Sequence, residues 1–397
     1  LGMQSSEIKH FSYIFTGTGL SALMTVYKMA VSGKFSGKTI LLLDEDAKKT
    51  NDRTWCFWGQ EESLWDSIIS KKWDSALFVN ENFKRDLVLK PYQYNQIRGL
   101  DFYNFVLETI SKQSNITFLH EKVTDINELE THVFVGTEAN CYTCDSLFNS
   151  IYSKGFALNQ TQYPVLQQHF VGWFVKSESE IFHPDQATFM DFSVEQRGNT
   201  RFMYVLPISE TEALVEYTLF SENLLPVAEY ENEIQIYLRN LGADQYEITE
   251  KEQGSIPMTC YPFWKKNTKR VLNIGTAGGW TKASTGYTFK NSDKKSAALV
   301  QFLQHDPSSK MASFHQKSRF WFYDLLLLDI LHRHNELGSR IFSSLFKKGN
   351  PQLIFKFLDE ETTFVQDVKV ILKCPKIPFI KALFSVIFRS DKCNQKQ

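Results

Sequence analysis

"YIFTGTGLSALMTVYKMAVSGKFSGKTILLLD" (Tyr13–Asp44) decides the fold of this chain. Tyr13–Thr16 is a short apolar strand, and Gly17 and Gly19 follow it. Apolar residues Leu20, Leu23, Met24, Tyr27, Ala30 and Val31 then recur at helical spacing. "KTILLLDED" (Lys38–Asp46) reads as a buried parallel strand ending at Asp44. Strand, glycine turn, helix, strand and terminal acid together make a dinucleotide-binding βαβ unit. Gly17 permits the tight turn, Gly19 lets backbone approach a pyrophosphate, Ala22 permits close packing, and Asp44 accepts from a ribose hydroxyl.

A second glycine turn lies far downstream, in "VLNIGTAGGWTKASTGYTF" (Val271–Phe289). A simple nicotinamide dehydrogenase does not need one. FAD is long enough to be gripped again near its ribityl and ring end, which assigns Gly275, Gly278, Gly279, Thr285 and Gly286 to the flavin. Many flavoenzymes place an aspartate directly after the first of these glycines, whereas here the position is Thr276.

Between the two turns, "FVGWFV", "ATFMDFSVEQ", "RFMYVLPIS" and "ALVEYTLFS" alternate or cluster aromatic and β-branched residues, with turn signals in the gaps. The fold class is therefore α/β. The sequence predicts a Rossmann-like FAD-binding domain of the flavin-hydroxylase type over residues 10–155 and 252–300. An antiparallel-sheet substrate domain (156–251) is inserted in it, and a helical region (301–397) follows, with "FWFYDLLLLDILHRH" as its strongest amphipathic candidate.

With 397 residues the chain is long enough for two or three domains and a large core. A net charge of −1 gives no footprint for nucleic acid. Aromatic content reaches 14% with 33 Phe, which suits either a bulky core or a site for a large apolar ligand. Six scattered cysteines include one CxxC pair, Cys141 and Cys144, with no second pair at zinc spacing, and "HRH" (His332–His334) makes no ligand set. No metal is expected, and the thiols read as reduced and cytosolic. The first residues lack a signal-peptide pattern, Leu1 and Gly2 read as a remnant ahead of Met3, and no window suits a spanning helix. In the tail, the apolar run Phe379–Phe388 is broken by Lys381, and Lys373–Gln397 carries six basic residues against one acidic. That pattern fits a helix lying in a membrane surface, or one docked on the protein.

Several segments, in order along most of the chain, carry a resemblance: "NDRTWCFW" (Asn51–Trp58), "YNQIRGLDFY" (Tyr94–Tyr103), "MDFSVEQ" (Met190–Gln196) and "RFMYVLP" (Arg201–Pro207). To these add "LVEYTLFS" (Leu214–Ser221), "EQGSIPMT" (Glu252–Thr259) and "GTAGGWTKASTGYTF" (Gly275–Phe289). In these the chain resembles the bacterial lycopene β-cyclases, whose members also lack the aspartate at Thr276. The resemblance implies a flavoprotein that closes the open ψ-ends of lycopene into β-rings with no net redox change. It uses FAD in the reduced state, kept so by NAD(P)H, on the cytoplasmic side of a membrane.

The proton donor that this implies is Glu216. Strand alternation places Leu214, Glu216, Thr218 and Phe220 on one face, an unusual setting for a solvated acid. An unperturbed Glu would be ionised roughly 500-fold at pH 7, and burial can remove that penalty. Tyr217 departs from the family's second acid at this point. Asp191 is a second candidate, as a partner acid or a turn carboxylate. "FLDEET" (Phe357–Thr362) looks like another family string but follows the flavin turn, so Glu216 is preferred over it. The resemblance further implies Arg53 near the flavin ring, Arg98 at the FAD phosphates or paired with Asp101, and Trp55 and Tyr287 near flavin or substrate. A flavin monooxygenase, an isoprenoid-chain reductase and a non-catalytic carotenoid carrier stay open as alternatives. Oligomeric state and the choice of NADH or NADPH are not readable.

Overall fold

The computed structural model describes residues 8–60, 62–305 and 310–394, so the expected remnant at Leu1–Gly2 and the last basic residue, Lys396, lie outside the described residues. Two large sheets face each other across a small one. The first contains the predicted βαβ unit: strand Lys9–Thr16, helix Leu20–Ser32 and strand Ile40–Asp44. Ile40–Leu43 is wholly buried, as a strand covered on both faces must be. The helix ends where Gly33 takes a left-handed conformation that a side chain would disfavour.

In this sheet Ile116–His120, Ile40–Asp44, Lys9–Thr16, Cys141–Asn149 and Val271–Asn273 run parallel, and two antiparallel strands extend the edge. The chain leaves Lys9–Thr16 in one direction toward Ile40–Asp44, and Cys141–Asn149 lies on its other side. That makes a topological switch point, outside which ligands of open α/β sheets sit. Phe15, Leu23, Leu42, Phe102, Phe148 and Phe289 fill the core beneath it.

The second sheet has the strand order Tyr246–Thr259, Val165–Ser177, Glu212–Ser221, Thr200–Pro207, Gln186–Asp191, Ser75–Asn80, Phe83–Val88. Its strands pair antiparallel apart from Gln186–Asp191 with Ser75–Asn80, which is parallel. This is the expected inserted sheet, but it is wider than residues 156–251. Ser75–Val88 and the strand running on to Thr259 also belong to it. One face packs on helix Val227–Asn240 through Val171, Trp173, Tyr217 and Ile234. The other looks toward the nucleotide half, with Phe174, Phe202, Leu214 and Phe220 among aromatic neighbours.

A three-stranded sheet (Thr54–Gly59, Gln93–Arg98, Ile69–Trp73) lies between the two. After helix Phe289–His305 the chain is helical, as predicted, from Arg319–Arg333 through Lys376–Asn394. Among the described residues no helix is long and apolar enough to cross a membrane.

Candidate active site

The two glycine turns, more than 250 positions apart in sequence, meet in space. A Cβ on Gly275 would stand 3.2 Å from Ser21 Oγ, in the first turn of the helix that follows Gly19. A Cβ on Gly19 would meet nothing within 4 Å, so open space lies in front of the turn where a pyrophosphate would approach. Gly17 is left-handed and crowded by Ser150 Oγ, which donates to the Gly17 carbonyl at 2.5 Å across the switch point. Asp44 ends its strand as expected. Its carboxylate accepts from Thr18 N at 2.6 Å and Thr18 Oγ1 at 2.9 Å, which orders the loop between the glycines. Burial alone would raise its pKa, but these bonds, the Asp46 amide and Lys48 together hold it below its ordinary value.

Gly278 is required for a different reason: a Cβ there would stand 2.1 Å from the Asn273 carbonyl oxygen. Gly279 caps the turn in the left-handed region. Thr285 and Gly286 lie in a second tight turn, closed by Lys282 N to the Tyr287 carbonyl at 2.9 Å and Gly286 N to the Lys282 carbonyl at 2.8 Å. An acid at a strand end and two glycine turns are thus brought together at the switch point, a set of residues that fits FAD.

Glu216 lies on the inward face of the second sheet. Its register partners are Gly172 on one side and Tyr204 on the other, and Gly172 is in turn paired with Glu252. Register partners share a face, so Glu252, Gly172, Glu216 and Tyr204 form one row. Glu216 is 6% exposed, and Thr218 Oγ1 donates to it at 2.6 Å. Burial first, and then the Glu252 carboxylate, push its pKa up to about 8. A carboxylic acid here is protonated at neutral pH.

An aromatic wall faces this row. The Tyr94 hydroxyl is 2.6 Å from that of Tyr204 and 3.2 Å from that of Tyr287, and Trp58 meets the Tyr287 ring edge-on at 4.8 Å. Cys56 lies among these tyrosines, its thiol pushed up to about 12 by burial and so neutral. A small cavity lined by Cys56, Trp58, Tyr287 and Leu358 opens beside it. Proton donor, neutral hydroxyls and ring faces on one apolar surface can protonate an alkene and shelter the resulting cation.

Four of the candidate residues lie outside the row. Asp191 is not brought to Glu216: it pairs in register with Met203, which pairs with Tyr217, so it lies on the opposite face. There it accepts from Tyr237 OH and Ser193 N, both at 2.9 Å, as a turn carboxylate. Trp55 is not brought to the row either. Its ring packs on Phe102 and Tyr103 in the nucleotide core, while Trp58, three residues on and therefore on the other face, joins Tyr94 and Tyr287. The Arg98 guanidinium stacks on Phe174 at 4.1 Å and pairs with Glu250 at 2.6 Å, committed to the second sheet and not to phosphates or Asp101. Arg53 is half-exposed, with Asp52 at 3.9 Å; its backbone carbonyl accepts from Gly99 N at 2.7 Å. Tyr287 stands at the junction of the second glycine turn and the aromatic wall.

Glu252 was missed as a site residue. The signal for it was weak: alternation in "EITEKEQGSI" puts Glu250, Glu252 and Gly254 on one face, but sequence does not show which strand lies alongside.

"FLDEET" proves to be a clasp. Asp359 accepts from Trp58 Nε1 at 2.8 Å and pairs with Lys290, and Glu361 pairs with Lys294 at 2.5 Å. Glu360 and Asp324 both hold buried Lys282, at 3.1 and 2.8 Å, from the flavin turn. Burial raises the Glu360 pKa, but Lys282 and Lys295 outweigh it and hold the group below its ordinary value. Such a group is ionised at neutral pH and has no proton to give. Among the described residues no His, Cys, Asp and Glu group could hold a metal.

The fold and the paired glycine turns define a protein of the flavin-dependent oxygenase, halogenase and reductase architecture. A geranylgeranyl bacteriochlorophyll reductase-like protein from Thermoplasma acidophilum aligns with TM-score 0.59 at 10% identity over 96% of this chain and 100% of that one. p-Nitrophenol 4-monooxygenase from Pseudomonas putida aligns with TM-score 0.59 at 12% identity over 92% of this chain and 98% of that one. The lycopene cyclase protein family model matches residues 13–384, and the chain belongs to that family. Lycopene beta-cyclase of Pantoea ananas is 25% identical over 230 residues, 54% of this chain and 59% of that protein. Lycopene beta-cyclase of a Paracoccus species is 28% identical over 131 residues, 30% of this chain and 32% of that protein. The aligned stretches thus span less than two thirds of either relative.

Proposed function

We propose that this chain is a flavin-dependent lycopene β-cyclase, an isomerase that forms β-ionone rings without net redox change. The observation that carries the reading is a buried Glu216, its pKa raised by burial, beside the joined hydroxyls of Tyr94, Tyr204 and Tyr287 in a fold whose two glycine turns fit FAD. Gly17, Gly19 and Asp44 would hold the adenosine and pyrophosphate end, and Gly275, Gly278 and Gly279 the flavin end. When bound and reduced by NAD(P)H, FAD supplies electron density beside a cation.

Glu216 gives its proton to the terminal alkene of a ψ-end, leaving a tertiary cation. The neighbouring double bond attacks that cation, and the new carbon–carbon bond closes the ring. The ring carbon beside the remaining cation then loses a proton, which returns to the Glu216 carboxylate directly or through water; this gives the β-ring and restores the acid, so the product has the mass of the substrate. Trp58, Tyr94, Tyr204 and Tyr287 exclude water, which would otherwise capture the cation as an alcohol, and present ring faces to it. Lycopene dissolves in lipid, so the protein would work at a membrane surface.

Expression in lycopene-accumulating bacteria, with pigment separated and weighed by mass spectrometry, tests this. A monocyclic or bicyclic product at unchanged mass, absent with Glu216→Gln, is the expected result. A change of two mass units would move the chain to the reductases, and oxygen incorporation to the monooxygenases. Persistent lycopene with folded, flavin-loaded protein would end the cyclase reading.

A further inference from the structure

Two carboxyls occupy the inward row, and only one has a part in the reaction above. Gly172 lies between them in register and is closely packed: a Cβ there would stand 2.9 Å from Leu214 Cδ1, 3.3 Å from Glu252 Cγ and 3.5 Å from Glu216 Cβ. Their surroundings differ. Glu216 has the Thr218 hydroxyl at 2.6 Å, with the neutral groups of Tyr204, Tyr287 and Cys56 around it, and Tyr94 behind them. Glu252 is half-buried, accepts from Thr54 Oγ1 at 2.8 Å, and has the guanidiniums of Arg98 and Arg53 as charged neighbours, with Glu250 on the same strand. Burial raises the pKa of Glu252 as well, but Thr54, Arg98 and Arg53 oppose it there, whereas only Thr218 opposes it at Glu216, so of the two the negative charge is better accommodated on Glu252 and the proton on Glu216.

We infer that Glu252 is a positioning residue for proton transfer: its negative charge, acting across Gly172, holds the proton on Glu216. The inference rests on the proposed role of Glu216 as acid. A lone glutamate in this setting would keep its proton through desolvation alone. A pair with one charge keeps it into the alkaline range, because ionising the second carboxyl sets two like charges together. A side chain at Gly172 would crowd Leu214 and the stems of both glutamates.

The test is an infrared pH titration of the protonated-carboxyl band in the purified, flavin-loaded protein. Glu216→Gln assigns the band by abolishing it. In the wild type the band should survive neutral pH and disappear in the alkaline range. In Glu252→Gln, which keeps shape and removes charge, it should disappear at a pH lower by about one unit or more. Glu252→Asp should bring the titration back toward the wild-type position, whatever it does to the rate. Thr54→Val, which removes only a donor favouring the charged form of Glu252, should shift it the same way by less, and it serves if Glu252→Gln does not fold. The alkaline limb of the pH–rate profile should move with the band.

A band that titrates at the same pH in wild type and Glu252→Gln overturns the inference, as does a wild type with no band at neutral pH. The band needs no turnover, so a shift in a protein that makes no cyclic pigment would uphold the pair and refute the cyclase reading.

Discussion

Glu216 is costly to bury charged, and that cost has a measurable sign. Its pKa in the fold, about 8, lies above the ordinary value of 4.5, so between these limits the folded chain binds a proton that the unfolded chain does not. Stability from this group is full below about pH 4.5 and is lost as pH rises through about 8. Glu216→Gln should therefore raise the thermal midpoint at pH 9 while leaving it nearly unchanged at pH 5, as read by differential scanning calorimetry. An equal difference at both values would place Glu216 in solvent. The sequence carried this residue well, because alternation alone separates Glu216 from Tyr217. The same rule, not applied to "NDRTWCFW", separates Trp55 from Trp58. Trp58→Leu should cut cyclisation about tenfold through loss of a ring face to the cation, whereas Trp58→Phe should retain most of the rate. Equal losses in the two variants, in a pigment assay, would deny the ring that role.

The elements divide into those that hold a cofactor-shaped space and those that brace it. Gly19 shows the first: its missing side chain touches no protein atom within 4 Å. Gly19→Val should thus fold with a circular dichroism spectrum like that of the wild type and yet lose FAD in equilibrium dialysis. Retained affinity would place the pyrophosphate elsewhere. Lys282 shows the second. It is 2% exposed on its side chain and held by Asp324 and Glu360, and these carboxylates raise its pKa to about 12 against the lowering effect of burial. Lys282→Met would leave the buried Asp324 without its cation, at a cost of about 3–5 kcal/mol. Denaturant unfolding should show that loss and should show part of it recovered in the double variant with Asp324→Asn. The sequence placed "FLDEET" among helices but could not show that lysines from the flavin turn and its helix, some 65–80 residues earlier, close on it. Ion pairs of that separation leave no periodic signal. Asp191 was misplaced for a related reason: a strand's face can be read locally, but which face looks at Glu216 depends on register with a strand that follows.

At the scale of the whole molecule, the βαβ unit and the second glycine turn were legible because each is a local pattern with a fixed geometric purpose. The width of the second sheet was not, since Ser75–Asn80 reaches it by pairing with a strand more than 100 residues later. The tail is docked on the body and also carries exposed apolar side chains. Phe379 and Ala382 pack toward helix Arg319–Arg333, which docks the last helix on the body. Ile377 and Ile380 on that helix, and Phe364, Val365 and Leu372 just before it, are each more than half exposed. Lys369, Lys373, Lys376 and Lys381 are interspersed among them. If the chain acts as proposed on a substrate that lives in lipid, this apolar surface with cations among its large side chains is the face we propose for contact with an anionic bilayer. Moving a hydrocarbon from bilayer to an apolar site gains little hydrophobic energy, so delivery depends on holding the protein at the lipid. Ile377→Glu with Ile380→Glu should leave the thermal midpoint unchanged, because neither side chain is in the core, and should sharply reduce sedimentation with vesicles containing anionic lipid. Added salt should weaken wild-type binding only in part, since the apolar contribution is not screened. If the double variant sediments like the wild type, the contact lies on another face. If binding vanishes entirely with salt, the lysines act without insertion, and the exposed isoleucines need a different explanation.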